Sequence, residues 1–191
     1  MSRFNIDFFR NIRIAIRPNL WIPNFEIASI LELEGTLPLS IEGLIIDIDQ
    51  TIVPSDMTVV DDRFINMLKY LKNKHRCCLL SNYRDSKTEF RRLKDIENQT
   101  AIRILKTTRK KPDPDAFRVA LSFLGIHSDR VAMIGDRVLT DVLGANSVGL
   151  TTVLVKPINP KTDPLLWVQL PRFLERVLYT FFRYFSWRKT T

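Results

Sequence analysis

Five short apolar runs punctuate the middle of the chain, and a helix-like polar stretch separates each from the next. Residues 43–48 read as a buried strand running into Asp49-Gln50-Thr51, and 76–80 as a strand ending at Ser81-Asn82. Residues 101–105 form a short strand, 130–134 a strand stopping at Gly135-Asp136, and 150–155 a last one. Between them, residues 60–73 place Phe64, Leu68 and Leu71 at helical spacing behind Asp61 and Asp62. A polar helix is expected over 85–95 and another over 138–147, while Pro112-Asp113-Pro114 opens a helix that closes at Gly125. Strands spaced by helices need crossover connections. The pattern therefore predicts an α/β fold of βαβ units around a central parallel sheet covered on both faces.

In such a sheet the carboxyl ends of the strands share one edge, and ligands bind in the crevice there. Asp47 and Asp49 lie at the end of the first run, Ser81 at the end of the second, and Asp136 just after the fourth, with Asp141 close behind. Carboxylates gathered at one edge repel one another unless a cation sits among them. Mg2+ suits them, because it accepts a few carboxylates, keeps waters and leaves room for a phosphate oxygen. A phosphoryl group adds further negative charge, which Ser81 and a nearby Lys or Arg would answer. Singly, these residues have ordinary readings as helix caps, turns and solvated side chains. Their order and their placement in successive βα units are what carry the argument.

Four stretches, Asp47-Ile-Asp49-Gln-Thr51, Ser81-Asn82, Lys111-Pro112-Asp113-Pro114 and Gly135-Asp136-Arg-Val-Leu-Thr-Asp141, resemble the ordered motifs of the haloacid dehalogenase (HAD) phosphatase superfamily. The longer run from Ile134 to Asn146 is similar to its subclass IIIA, the YqeG-type and phosphatidylglycerophosphate phosphatase branch. The resemblance implies a HAD-like Rossmannoid three-layer fold without a substantial cap domain. It also implies Asp47 as nucleophile and Asp49 as general acid and base. Thr51, Ser81, Asn82 and Lys111 would serve the phosphate, and Asp47, Asp49 (through its carbonyl), Asp136 and Asp141 would hold Mg2+. Gln50, where relatives often carry Asn, is expected to point away from the site. The gaps from Thr51 to Ser81 and from Ser81 to Lys111 hold only a helix and a strand each, too little for an enclosing lid. That suits a phosphate presented on something large, such as a lipid in a bilayer. Phosphatidylglycerophosphate, giving phosphatidylglycerol, is the expected substrate. The alternatives are a soluble nucleotide, sugar or protein phosphate, or a non-catalytic binding protein on the same fold.

The charge of +8 is concentrated at the ends. In residues 1–25, Arg3, Arg10, Arg13 and Arg17 stand against Asp7, and in 165–191 Arg172, Arg176, Arg183, Arg188 and Lys189 stand against Glu175. A basic aromatic segment (1–25), a nearly neutral phosphatase core (26–156) and a Pro-containing linker with a C-terminal helix (157–191) follow from this division. Phe173, Leu174, Val177, Leu178, Phe181, Phe182 and Phe185 make an amphipathic stripe in the last segment. Either this stripe docks onto the domain, or it lies in a membrane interface with its arginines toward anionic head groups. Phe4, Phe8, Phe9, Ile12 and Ile16 lie near one face of a second stripe, which also reads as an organellar targeting segment. Basic residues interleaved with bulky apolar ones argue for an anionic membrane over nucleic acid. The expected setting is a cytoplasmic or organellar interior, with peripheral membrane association. Cys77 and Cys78 read as packing in a core strand, Asp113 as supporting a helix start, and His75 and His127 as partnerless surface residues.

Overall fold

A computed structural model describes residues 17–55, 57–83, 86–162 and 169–187, with side chains in the last segment described for 169 and 172–184. The N-terminal stripe over 4–16 lies outside the described residues. Six strands form one parallel sheet: β1 (Phe25–Ile27), β2 (Gly43–Ile46), β3 (Arg76–Leu80), β4 (Ile104–Leu105), β5 (Val131–Gly135) and β6 (Thr151–Val155). Their order across the sheet is β1-β6-β5-β2-β3-β4. The reversal beside β2 puts the ends of β2, β3 and β5 next to one another, which is where a doubly wound sheet opens its crevice.

Alternation along β2 builds the layers. Leu44 and Ile46 face one side with Phe64, Leu68, Leu93 and Ile96, from α1 (Asp62–Lys74) and α2 (Lys87–Thr100). Ile45 faces the other with Phe117, Ala120 and Ala145, from α3 (Pro114–Leu124) and α4 (Leu143–Asn146). Local chemistry sets the helix ends. Asp61 and Asp113 cap α1 and α3 by accepting from the backbone N–H of Arg63 and Asp115, and Ser86 caps α2 through the N–H of Glu89. Gly125 ends α3 in the left-handed region. Cys77 and Cys78 pack within β3, and burial pushes the Cys77 thiol up to about 12 and raises that of Cys78 as well. Both histidines do have partners: His75 Nδ1 lies 3.1 Å from the carbonyl of Ile41, and His127 Nδ1 lies 2.7 Å from Asp129 on the surface.

Three features differ from the sequence reading. β1 is a sixth strand, paired with β6 from Phe25 opposite Val153 to Ile27 opposite Val155. Its three residues fall between a proline and a serine, too few to show an alternation. Residues 138–147 do not make one regular helix. Val138–Val142 is a wide π-helical turn that leads into the short α4. The third difference concerns the last helix, α5 (Leu170–Trp187), which packs on the body by its polar side and one edge of its apolar stripe, at Phe182. Glu175 and Tyr179 are buried there, and Phe182 meets Trp21 with ring centroids 5.3 Å apart. Of the predicted stripe, Phe173, Leu174, Val177, Leu178 and Phe181 are exposed. Among the described residues, no helix is long and apolar enough to cross a membrane.

Candidate active site

The site begins where β2 leaves the sheet. The N–H of Asp47 still donates to Ile134 of β5 at 2.9 Å, so Asp47 is held by the ladder although its strand has ended. The chain then curls around the carbonyl of Ile48, which accepts from the N–H groups of Thr51, Ile52 and Val53 at 3.0 to 3.3 Å. Gln50 takes a φ of 62° in this curl. Its side-chain amide points away from the site and ties the loop to the linker: Nε2 donates to Asn159 O at 2.9 Å, and Oε1 accepts from Asn159 N at 2.8 Å. Thr51 Oγ1 is buried in the loop with no partner among the described residues.

Lys111 reaches the same point from the loop before α3. Its Nζ donates to Asp47 Oδ1 and to Asp141 Oδ1, at 2.7 Å each, and the residue is buried. Asn82, expected at the phosphate, uses its side chain on the Lys111 backbone. Oδ1 accepts from Lys111 N at 2.7 Å, and Nδ2 donates to Lys111 O at 2.8 Å. It is a brace for the lysine. Asp141 is brought in by the π turn, and its Oδ2 accepts from Arg137 N at 3.0 Å. It packs so closely on Gly135 that a Cβ there would lie 2.4 Å from the carboxyl carbon. Asp136, just beyond β5, offers Oδ2 to the guanidinium of Arg172 from α5.

Ligand atoms of Asp47, Asp136 and Asp141 all lie within 4.8 Å of one another, and all three residues are buried. Burial pushes Asp47 up to about 8, with Asp141 and Asp136 adding to the rise while Lys111 opposes it. Burial likewise raises Asp136 to about 7 against the pull of Arg172. For Lys111, burial works against the charge, but the carboxylates of Asp141 and Asp47 outweigh it and hold the ammonium protonated. Fully ionised, the three carboxylates against Lys111 and Arg172 would leave the cluster one charge negative. Asp136 Oδ1 is also buried with no partner among the described residues, which is costly unless a cation completes it. An all-oxygen set of this charge fits a hard divalent cation.

Asp49 stands apart from the cluster. Its Oδ2 accepts from Ser81 Oγ at 3.3 Å, and its Oδ1 pairs with the guanidinium of Arg92 on α2. Arg92 also donates to Glu89 at 2.9 Å and to the carbonyl of Met57 at 2.9 Å. Sequence reasoning missed both arginines. Arg92 had a visible signal, because it falls on the buried stripe of α2 with Leu93, Ile96 and Thr100. A charge on an apolar stripe asks for a buried partner. Arg172 gave no such signal, since it lies off the apolar stripe of α5, and so does its neighbour on the docked face, Glu175, which pairs with Arg137.

Residues 8–159 match the family model of the mitochondrial PGP phosphatases. The chain belongs to that family. Its relatives among PGP phosphatases and their neighbours cover less of the sequence. A probable phosphatase, YqeG, of Bacillus subtilis is 31% identical over 120 residues, 62% of this chain and 66% of that protein. The chloroplastic and mitochondrial phosphatidylglycerophosphate phosphatase 1 of Arabidopsis thaliana is 35% identical over 79 residues, 41% of this chain and 22% of that one. The match thus spans just under two thirds of the first relative and about a fifth of the second. For the fold, a crystal structure of a Listeria monocytogenes protein superposes with a TM-score of 0.50 at 20% identity, over 68% of this chain and 88% of that one.

Proposed function

We propose that this chain is a Mg2+-dependent phosphatase that hydrolyses a phosphate monoester through an aspartyl-phosphate on Asp47. The observation that carries the reading is the buried cluster itself. A nucleophile candidate at a strand end shares Lys111 with Asp141, and both lie within metal-ligand reach of Asp136. Asp47, Asp136 and Asp141 would hold the cation, which when bound supplies positive charge against the carboxylates and the phosphoryl oxygens. A carboxylate oxygen of Asp47 attacks phosphorus, the bond from phosphorus to the ester oxygen breaks, and Asp49 gives its proton to the departing alkoxide. Water then attacks the same phosphorus, Asp49 takes its proton, and Asp47 leaves as a free carboxylate with inorganic phosphate released. Ser81 and Lys111 steady the phosphoryl oxygens during both displacements. Arg92 keeps Asp49 beside Ser81.

The substrate in this proposal is phosphatidylglycerophosphate, and the product phosphatidylglycerol. Family membership supports it, and so does the lack of a lid among the described residues. The chain between Thr51 and Ser81 builds α1 and β3, and that between Ser81 and Lys111 builds α2 and β4. Such a site accepts a phosphate offered on a surface. The setting is an organellar interior with the protein held peripherally on a membrane. The test is turnover of the lipid in mixed micelles against a panel of soluble nucleotide, sugar and protein phosphates. Asp47→Asn should abolish hydrolysis of all of them, because an amide cannot form the acyl-phosphate. A soluble ester preferred by orders of magnitude overturns the lipid assignment, and an active Asp47→Asn overturns the mechanism.

A further inference from the structure

We propose that the exposed face of α5 is a docking surface for an anionic lipid bilayer, and that it seats the mouth of the carboxylate site at the headgroup layer. The proposal deepens the lipid-phosphatase reading by naming the surface on which the substrate is met. Phe173, Leu174, Val177 and Leu178 are 43% to 63% exposed, and at 3.6 residues per turn they share one side of the helix. This side is not waiting to fold back on the domain. The opposite side is already fastened, by Arg172 to Asp136, Glu175 to Arg137, Tyr179 Oη to Glu26, and Phe182 against Trp21. An apolar face left over after a helix has docked needs a partner outside its own core.

Charge selects that partner. Glu175 is the sole acidic residue of α5, and it is buried against Arg137. The exposed polar side chains beside the apolar face are those of Arg176, Thr180 and Arg183. Arg183 pairs with Glu26 at 3.2 Å, whereas Arg176 has no acidic partner among the described residues. A bulky apolar face bordered by such an arginine suits the boundary between acyl chains and anionic head groups. A second copy of the chain is a poorer occupant, because a two-fold contact would set the same arginines against themselves. Position ties the surface to the chemistry. Arg172 touches a metal-site carboxylate, and the next residue, Phe173, is the most exposed of the face. A bilayer lying along α5 therefore passes about one helix diameter, roughly 10 Å, from Asp136.

The experiment is vesicle co-sedimentation at low salt, with vesicles of phosphatidylcholine alone or mixed with phosphatidylglycerol. It is paired with hydrolysis of p-nitrophenyl phosphate, which needs no membrane. Wild-type protein should bind the mixed vesicles and bind phosphatidylcholine more weakly. Leu174→Glu with Leu178→Glu should lower binding about tenfold or more, since carboxylates replace buried apolar groups, and should leave soluble turnover unchanged. Arg176→Glu, a milder change, should weaken binding to the anionic vesicles alone. Asp47→Asn should bind like wild type without turning over, which separates docking from catalysis. Wild-type protein that ignores anionic vesicles overturns the proposal, as does a double variant that binds them equally well. So does a double variant that loses soluble turnover in parallel, or one whose measured effect is to dissociate a dimer. If wild-type protein binds but hydrolyses no ester, docking stands and the phosphatase reading falls.

Discussion

Replacing Lys111 with methionine takes one positive charge out of the carboxylate cluster and keeps most of the side-chain volume. The magnitude follows from the contacts. The ammonium makes two charge-assisted hydrogen bonds, each 2.7 Å long, in a buried position. At about 1.5–3 kcal/mol apiece they predict a loss of about 3–6 kcal/mol in metal-free protein, in line with the about 3–5 kcal/mol for breaking a buried ion pair. The loss should depend on pH, because Asp47 can escape by taking up a proton. Its affinity for that proton is already pushed up to about 8 by burial, and removing Lys111 raises it further. Urea unfolding in EDTA should show a smaller loss at pH 6, where Asp47 holds its proton in both proteins, and a larger one at pH 10, above its raised value in the wild type, and added Mg2+ should recover part of it by supplying the missing charge. Turnover of a soluble ester should fall about 10²–10³-fold, as for removal of one donor to a developing oxyanion. A loss under about 1 kcal/mol at pH 10, the size of a surface ion pair, would refute the reasoning. So would a loss of equal size at both pH values.

The wild-type protein carries its own pH signature. Asp47 and Asp136 hold protons more tightly folded than unfolded, so the native state binds more protons between their ordinary value near 3.8 and the raised values of about 8 and about 7. Metal-free stability should therefore decline as pH rises across that window, and Mg2+ should flatten the decline in urea titrations run at several pH values. Gly135→Ala would place a methyl 2.4 Å from the Asp141 carboxyl carbon, which Lys111 and the Arg137 N–H hold in place. Overpacking of this kind costs about 1–3 kcal/mol, and calorimetric titration should show weaker Mg2+ binding as Asp141 is displaced.

The parts of this molecule that could be read from sequence are those where one physical signal dominates. β2, β3 and β5 are runs buried on both faces, so continuous hydrophobicity marked them, and the polar residue ending each run marked the edge of the sheet. Asp47, Asp136 and Asp141 were legible as chemical types at those ends and Lys111 through the resemblance of its motif, and the structure brings them together. What escaped depends on contacts between distant segments. Asn82 looks like a phosphate donor until the Lys111 backbone is seen to occupy it. The π turn leaves no periodicity in five residues, yet it is what swings Asp141 against Gly135. In α5 the apolar stripe points away from the domain because its polar side found partners in Asp136, Arg137 and Glu26. Hydrophobic periodicity tells which side of a helix avoids water, but not whether protein or another apolar medium receives it.

That ambiguity bears on how an unlidded site could work. Carboxylates and a phosphoryl group interact most strongly where water is excluded, and related chemistry elsewhere relies on closure of a lid to exclude it. Here the described residues of the segments that could have grown a lid build α1, β3, α2 and β4 and nothing more. Among the described residues, a further element at the mouth is α5, which touches Asp136 through Arg172 and turns an apolar face outward from the following residue. If that face lies in the headgroup layer, the membrane takes the place of the lid, and the protein needs no moving part to close its site. Water exclusion then depends on the surface that presents the substrate. A soluble ester would enter the same cluster of carboxylates without that cover, so the bilayer should raise kcat/KM for a lipid ester far more than for a soluble one of equal leaving group.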